Sequence, residues 1–77
     1  MNYRETILRT LLSKYEGERN VLACNLDVYI ARPTSIPEHV DFIQYVDQLV
    51  GQLAELDDKI GLTKDLLNTI ERCLEIE

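Results

Sequence analysis

Residues 35–74, SIPEHVDFIQYVDQLVGQLAELDDKIGLTKDLLNTIERCL, decide the fold of this chain. Within them His39, Phe42, Val46, Leu49, Leu53, Leu56, Ile60, Thr63, Leu67, Ile70 and Leu74 follow one another at alternating steps of three and four. Such spacing sets one apolar seam along a helix for about five heptads. Thr63 and the terminal His39 are its only polar members. A seam this long requires a partner to cover it.

The partner is upstream. Leu8, Leu12, Tyr15, Leu22, Leu26 and Tyr29 repeat at the same steps, with Arg19 in the one gap. Leucine is a strong helix former, and no proline precedes Pro33. An arginine in a seam can lay its methylenes on apolar surface and send its guanidinium to water. Gly17 costs a helix about 1 kcal/mol relative to alanine, so residues 3–31 read as one helix or two nearly collinear ones ahead of a sharply folded-back N-terminus. Gly61 poses the same question in the second arm. There the heptad steps pass from Ile60 through Thr63 to Leu67 without a slip, which favours continuity.

Between the arms lies Arg32-Pro33-Thr34-Ser35-Ile36-Pro37-Glu38. Pro33 forbids further regular helix and biases Arg32 away from the helical region. Ser35 and Glu38 fit a capping box, and Pro37 falls in the first turn, where its missing N–H costs nothing. A turn this short makes its two helices antiparallel neighbours. The expected fold is therefore all-α: one domain over residues 1–77, an antiparallel two-helix hairpin with long helices at about 3–31 and 36–75.

Register follows from the turn. Setting Tyr29 against Phe42 brings Leu22 to Leu49, Tyr15 to Leu56, Leu8 to Thr63, and Arg19 near Gln52 and Glu55. It also leaves Cys24 and Cys73 about 40 Å apart along the axis at 1.5 Å per residue. That excludes an intrachain disulfide, which needs Cα atoms within about 7 Å.

The arms carry more apolar surface than one seam uses. Val21, Cys24 and Val28 flank the seam of the first arm, and Ile7 and Leu11 extend that shoulder, so its apolar surface spans roughly 200° where about 100° covers one neighbour. In the second arm Ile43 and Val50 widen one edge, and Leu66 and Cys73 widen the other. These nine residues are the candidate self-association surface. A chain of 77 residues is marginal as a lone domain, since it buries only about 60% of its unfolded surface. The expectation is a homo-oligomer, a dimer forming a four-helix bundle.

Charge narrows the function classes. The net charge is −6, with +1 on residues 1–35 and −7 on residues 36–77. An acidic half repels phosphate backbones, which argues against nucleic acid as partner. No apolar run approaches the length of a membrane span, and the first residues are too polar for a signal peptide. A soluble protein of a reducing cytoplasm is expected.

Candidates for chemistry are few. His39 is the single histidine and has no nucleophile beside it in sequence, so it reads as a turn residue before a proton carrier. Asp57 and Asp58 stand about 100° apart on a helix and do not converge, so with Glu55 they read as a solvated face. Cys24 and Cys73 lack metal spacing, and a zinc site needs three or four ligands. Cys24, among apolar neighbours, reads as a small buried hydrophobe. Tyr3, Tyr15, Tyr29 and Tyr45 with Arg4, Arg19 or Arg32 could line a site for an anionic small molecule. No phosphate loop or nucleophile elbow occurs. The reading expects no enzyme, no cofactor and no metal.

The segment Val28-Tyr29-Ile30-Ala31-Arg32-Pro33-Thr34-Ser35-Ile36-Pro37-Glu38-His39, followed by a long acidic helix, resembles short uncharacterised helical-hairpin proteins of tailed phages. Those carry a VYL-x-NP-x-x-I-x-EH turn between two helices. Here Arg32 stands where they have asparagine, and Pro37 precedes Glu38-His39. The resemblance brings no activity or site residue. It implies a small accessory protein acting in the host cytoplasm. The functional expectation is a non-enzymatic interaction module that docks on a host or phage protein. The alternative is an oligomer that sequesters a nucleotide signal.

Overall fold

A computed structural model describes residues 3–31 and 39–76, with the side chains of 3–31 and 42–72. The described residues form two helices, α1 (Tyr3–Ala31) and α2 (His39–Ile76), and no strand. The expected α1 is found with its bounds. The connector, Arg32, the Ser35–Glu38 capping box and the start of α2 before His39 lie outside the described residues.

The helices pack antiparallel. Tyr29, near the end of α1, stacks on Phe42 at the start of α2, with ring centroids 6.4 Å apart. At the far end Arg9 of α1 meets Glu71 of α2 at 3.0 Å. Two helices side by side make a rod of 60 × 16 × 15 Å. Its radius of gyration is 17.5 Å, against about 11–12 Å for a compact chain of this length.

The seam of α2 is the core. Leu49, Leu56, Thr63 and Leu67 are buried, and Phe42, Val46, Leu53, Ile60 and Ile70 are half-buried. From α1 the seam residues Leu8, Leu12, Tyr15, Arg19, Leu22, Leu26 and Tyr29 lie over them half-buried. Thr63 is buried without penalty because its hydroxyl donates to the Lys59 carbonyl one turn back, at 2.7 Å.

Both helices run through their glycines. Gly17, Gly51 and Gly61 all lie within helix and face open space. The cost of about 1 kcal/mol each is absorbed by the continuous seam, because breaking a helix would forfeit the packing on both sides of the break.

The expected register holds at the turn and is loosened beyond it. Tyr29 reaches Phe42, yet its nearer neighbour is the Tyr45 ring at 4.5 Å. A seam side chain seats between two residues of the facing helix, not opposite one. Farther along, Arg19 pairs with Asp57 and not with Gln52 or Glu55. The long guanidinium stem reaches past the residues at its own level.

Candidate interaction surface

Steps of seven divide each helix into strips, and the strips give the rod two unlike edges. On one edge α2 presents Ile43, Val50, Asp57, Lys64 and Glu71, facing Arg9, Glu16, Ala23 and Ile30 of α1. Two ion pairs cross the seam here, Arg9–Glu71 and Arg19–Asp57. Glu16, Arg19, Asn20, Asp57, Ile60 and Lys64 line one polar groove along it. The apolar members Ile30, Ile43 and Val50 sit toward the connector and are exposed.

The opposite edge is built otherwise. Here α2 presents Tyr45, Gln52, Lys59 and Leu66, and α1 presents Ile7, Leu11, Lys14, Glu18, Val21 and Val28. Its ion pairs stay within one helix: Lys14–Glu18 at 3.6 Å and Lys59–Glu55 at 3.4 Å. The two lysines converge on the Tyr15 ring, with Lys59 Nζ 5.5 Å and Lys14 Nζ 6.0 Å from its centroid. These distances suit a weak cation–π contact and place both cations on the same face. Arg4, Ile7, Leu8, Leu66, Thr69 and Ile70 line an open, mostly apolar groove between the helices near the free ends. A second shallow groove runs over Gly17 between Lys14, Glu18, Val21 and Leu22.

Most of the expected self-association residues are exposed. Ile7 (57%), Val21 (61%), Val28 (61%), Ile43 (66%), Val50 (50%) and Leu66 (44%) face water. Leu11 is half-buried at the seam margin. The side chain of Cys73 lies outside the described residues. The set does not form one patch, since Ile43 and Val50 lie on the ion-paired edge and Ile7 and Leu66 on the open one. Cys24 is a correction to its reading as a buried residue: it is a free, exposed thiol. Leu22 and Leu26 take the seam positions beside it, which turns Cys24 to the outer side of α1.

Leu62 was missed by the sequence reading and is 61% exposed. It stands four residues before Leu66, a spacing that puts the two side by side on a helix. That signal was present but overshadowed by the stronger seam. Ile30 was missed likewise and is exposed on the other edge.

The residues considered for an anionic ligand are scattered. Tyr3 lies at the free end and Tyr29 at the connector end, stacked on Phe42 and Tyr45. Arg19 is committed to Asp57. Asp57 is thereby a partner in the seam margin and not simply part of a solvated face. Among the described residues no group of three metal-ligating side chains occurs. None of the described helices is long and apolar enough to cross a membrane.

The rod exposes 6091 Å². A folded monomer of 8.9 kDa is expected to expose about 4,800 Å² by the usual scaling of area with mass. The difference of about 1,300 Å² exceeds the ~800 Å² that one partner buries in a standard interface. Comparison with protein-family models, curated proteins and solved structures gave no match.

Proposed function

We propose that the chain is a non-enzymatic helical interaction module that self-associates, two hairpins packing into a four-helix bundle. The observation that carries this reading is the surplus of exposed surface on a two-helix rod, with six large aliphatic flank residues in it. A hairpin with one seam has a single buried layer. A second hairpin adds the contacts that small domains otherwise obtain from disulfides or metals. In this reading the assembled bundle docks on a host or phage protein in the host cytoplasm, as the likeness of its turn to phage hairpin proteins suggests.

Sedimentation equilibrium of the full chain at micromolar concentration tests the first half. The expected mass is about twice 8.9 kDa, and a monomer with full helicity overturns the reading. Affinity capture from infected cells tests the second half through recovery of a stoichiometric protein partner.

Sequestration of a nucleotide signal is the second reading. One observation favours it, the convergence of Lys14 and Lys59 on Tyr15. A rise in melting temperature with a cyclic nucleotide, absent with the matching nucleoside, would move the balance to it.

A further inference from the structure

We infer that the second copy packs on the open edge, antiparallel to the first, with the four charges Lys14, Glu18, Glu55 and Lys59 setting the orientation. The inference rests on the self-association proposed above and names its face and direction.

The charges are ordered along the rod. Lys14 and Lys59 share the level of Tyr15, as their approach to its ring requires. Their partners Glu18 and Glu55 both lie one turn nearer the connector. The face therefore carries a positive band and, one turn along, a negative band. The change of sign falls near Gly17 in α1 and Asp57 in α2. Those residues also mark the midpoints of Tyr3–Ala31 and His39–Ile76. A two-fold axis through this point lays each positive band on the partner's negative band, and it overlaps the rods over their full length. A parallel pair would set lysine on lysine and glutamate on glutamate, which disfavours it by like-charge contact.

The apolar residues fit the same operation. Ile7, Leu11, Leu62 and Leu66 form the free-end half of the edge, and Val21 and Val28 lie in the connector half. Antiparallel pairing lays one half on the other. The surplus of about 1,300 Å² is spread over the whole rod, and an interface of standard size takes about 800 Å² from each partner. On the ion-paired edge acid and base meet across the seam at the same level, so the charges there form no band of one sign along the rod.

The test is a charge swap that keeps composition: K14E/E18K/E55K/K59E in the full chain, checked for unchanged far-UV helicity. The swapped chain is expected to dimerise with itself as the wild type does. Mixed with isotope-labelled wild type and read by native mass spectrometry, it is expected to form homodimers with at least tenfold preference over heterodimers. Preferred heterodimers mean parallel packing, and a statistical mixture means a different face. Either result overturns this inference while leaving self-association intact. A wild type that is itself monomeric overturns the self-association reading instead. A second pair of variants guards against misfolding of the swap. Leu66→Asp is expected to weaken the dimer at least tenfold, and Val50→Asp on the other edge to leave it unchanged. The reverse pattern removes the open edge as the interface.

Discussion

The two helices share one seam yet use it unequally. Every buried side chain in the described residues belongs to α2, where Leu49, Leu56 and Leu67 are 3–6% exposed, and α1 has none. In α2 the large aliphatic residues concentrate on the seam, so α1 can cover them. In α1 they spread from the seam across Ile7, Val21 and Val28, and the seam itself holds Arg19. One neighbour cannot cover both the seam and the shoulder of α1. The comparison teaches that α2 supplies the buried core of the single chain, while both helices leave large aliphatic residues exposed, Ile7, Val21, Val28 and Ile30 on α1 and Ile43, Val50, Leu62 and Leu66 on α2.

The largest expected effect breaks that asymmetry if it is wrong. Leu56→Ala removes a nearly dry side chain beneath α1 and is expected to cost about 3–5 kcal/mol. Leu22→Ala removes a half-wet one from α1 and is expected to cost about half as much. Urea unfolding followed by circular dichroism at one fixed chain concentration measures both. Equal losses would mean that α1 is as deeply covered as α2, by something beyond the single hairpin.

A next, smaller effect asks whether the outer sides of the helices are alike. An added methyl at Gly17, Gly51 or Gly61 meets nothing within 4 Å. None of these glycines has positive φ. Alanine at Gly51 or Gly61 is expected to raise stability by about 1 kcal/mol, the propensity gain in a helix interior, and alanine at Gly17, beneath the second copy proposed for the open edge, to gain less. An equal gain at all three would leave the middle of α1 clear of any second copy.

How much of this was legible in the sequence depends on whether a feature is periodic. The seam of α2 repeats at three and four, and α1 repeats with it, so pairing was legible from residues alone. Pro33 and Pro37 fall in sequence between the two described helices. Side-chain reach is not periodic. Arg19 was readable as a seam arginine, but its choice of Asp57 over Glu55 depends on a flexible stem and the local rotation of α2. Exposure of Cys24 was not legible either. An apolar neighbourhood in sequence spreads around a helix at about 100° per residue, and only the position of the partner decides which side stays dry. For the candidate surface, the sequence named most of the exposed residues. It did not show that the charges on the open edge fall into two bands, since that depends on how the helices are staggered.

Two arginines of α1, Arg9 and Arg19, separate seam from surface more finely. Arg9 bridges Glu5 and Glu71 at 3.0 Å, but its side chain is 55% exposed. Exposed pairs contribute about 0.2–1 kcal/mol, so Arg9→Ala is expected at the low end of that range and to shrink with added salt. Arg19 occupies a seam position, and its stem covers apolar surface that alanine would leave bare. Arg19→Ala is expected to cost more than Arg9→Ala, with most of the excess persisting in high salt. Equal, salt-sensitive losses would reduce Arg19 to an ordinary surface ion pair.

The smallest effect belongs to the polar member of the α2 core. Thr63 is 5% exposed, and its hydroxyl donates to a carbonyl one turn back. Thr63→Val keeps the β-branched shape and removes that bond. The loss is a hydrogen bond of modest net worth, about 0.5–1.5 kcal/mol. The gain is an apolar group in place of a hydroxyl in a dry seam, of about the same size. The carbonyl suffers little, because a backbone oxygen in mid-helix also accepts the N–H four residues on. The terms oppose each other, so the variant is expected within about 0.5 kcal/mol of the parent. A loss several times larger would mean that the hydroxyl fixes the stagger of the helices. A comparable gain would mean that the threonine is a flaw in the seam, kept for a reason outside the stability of one chain.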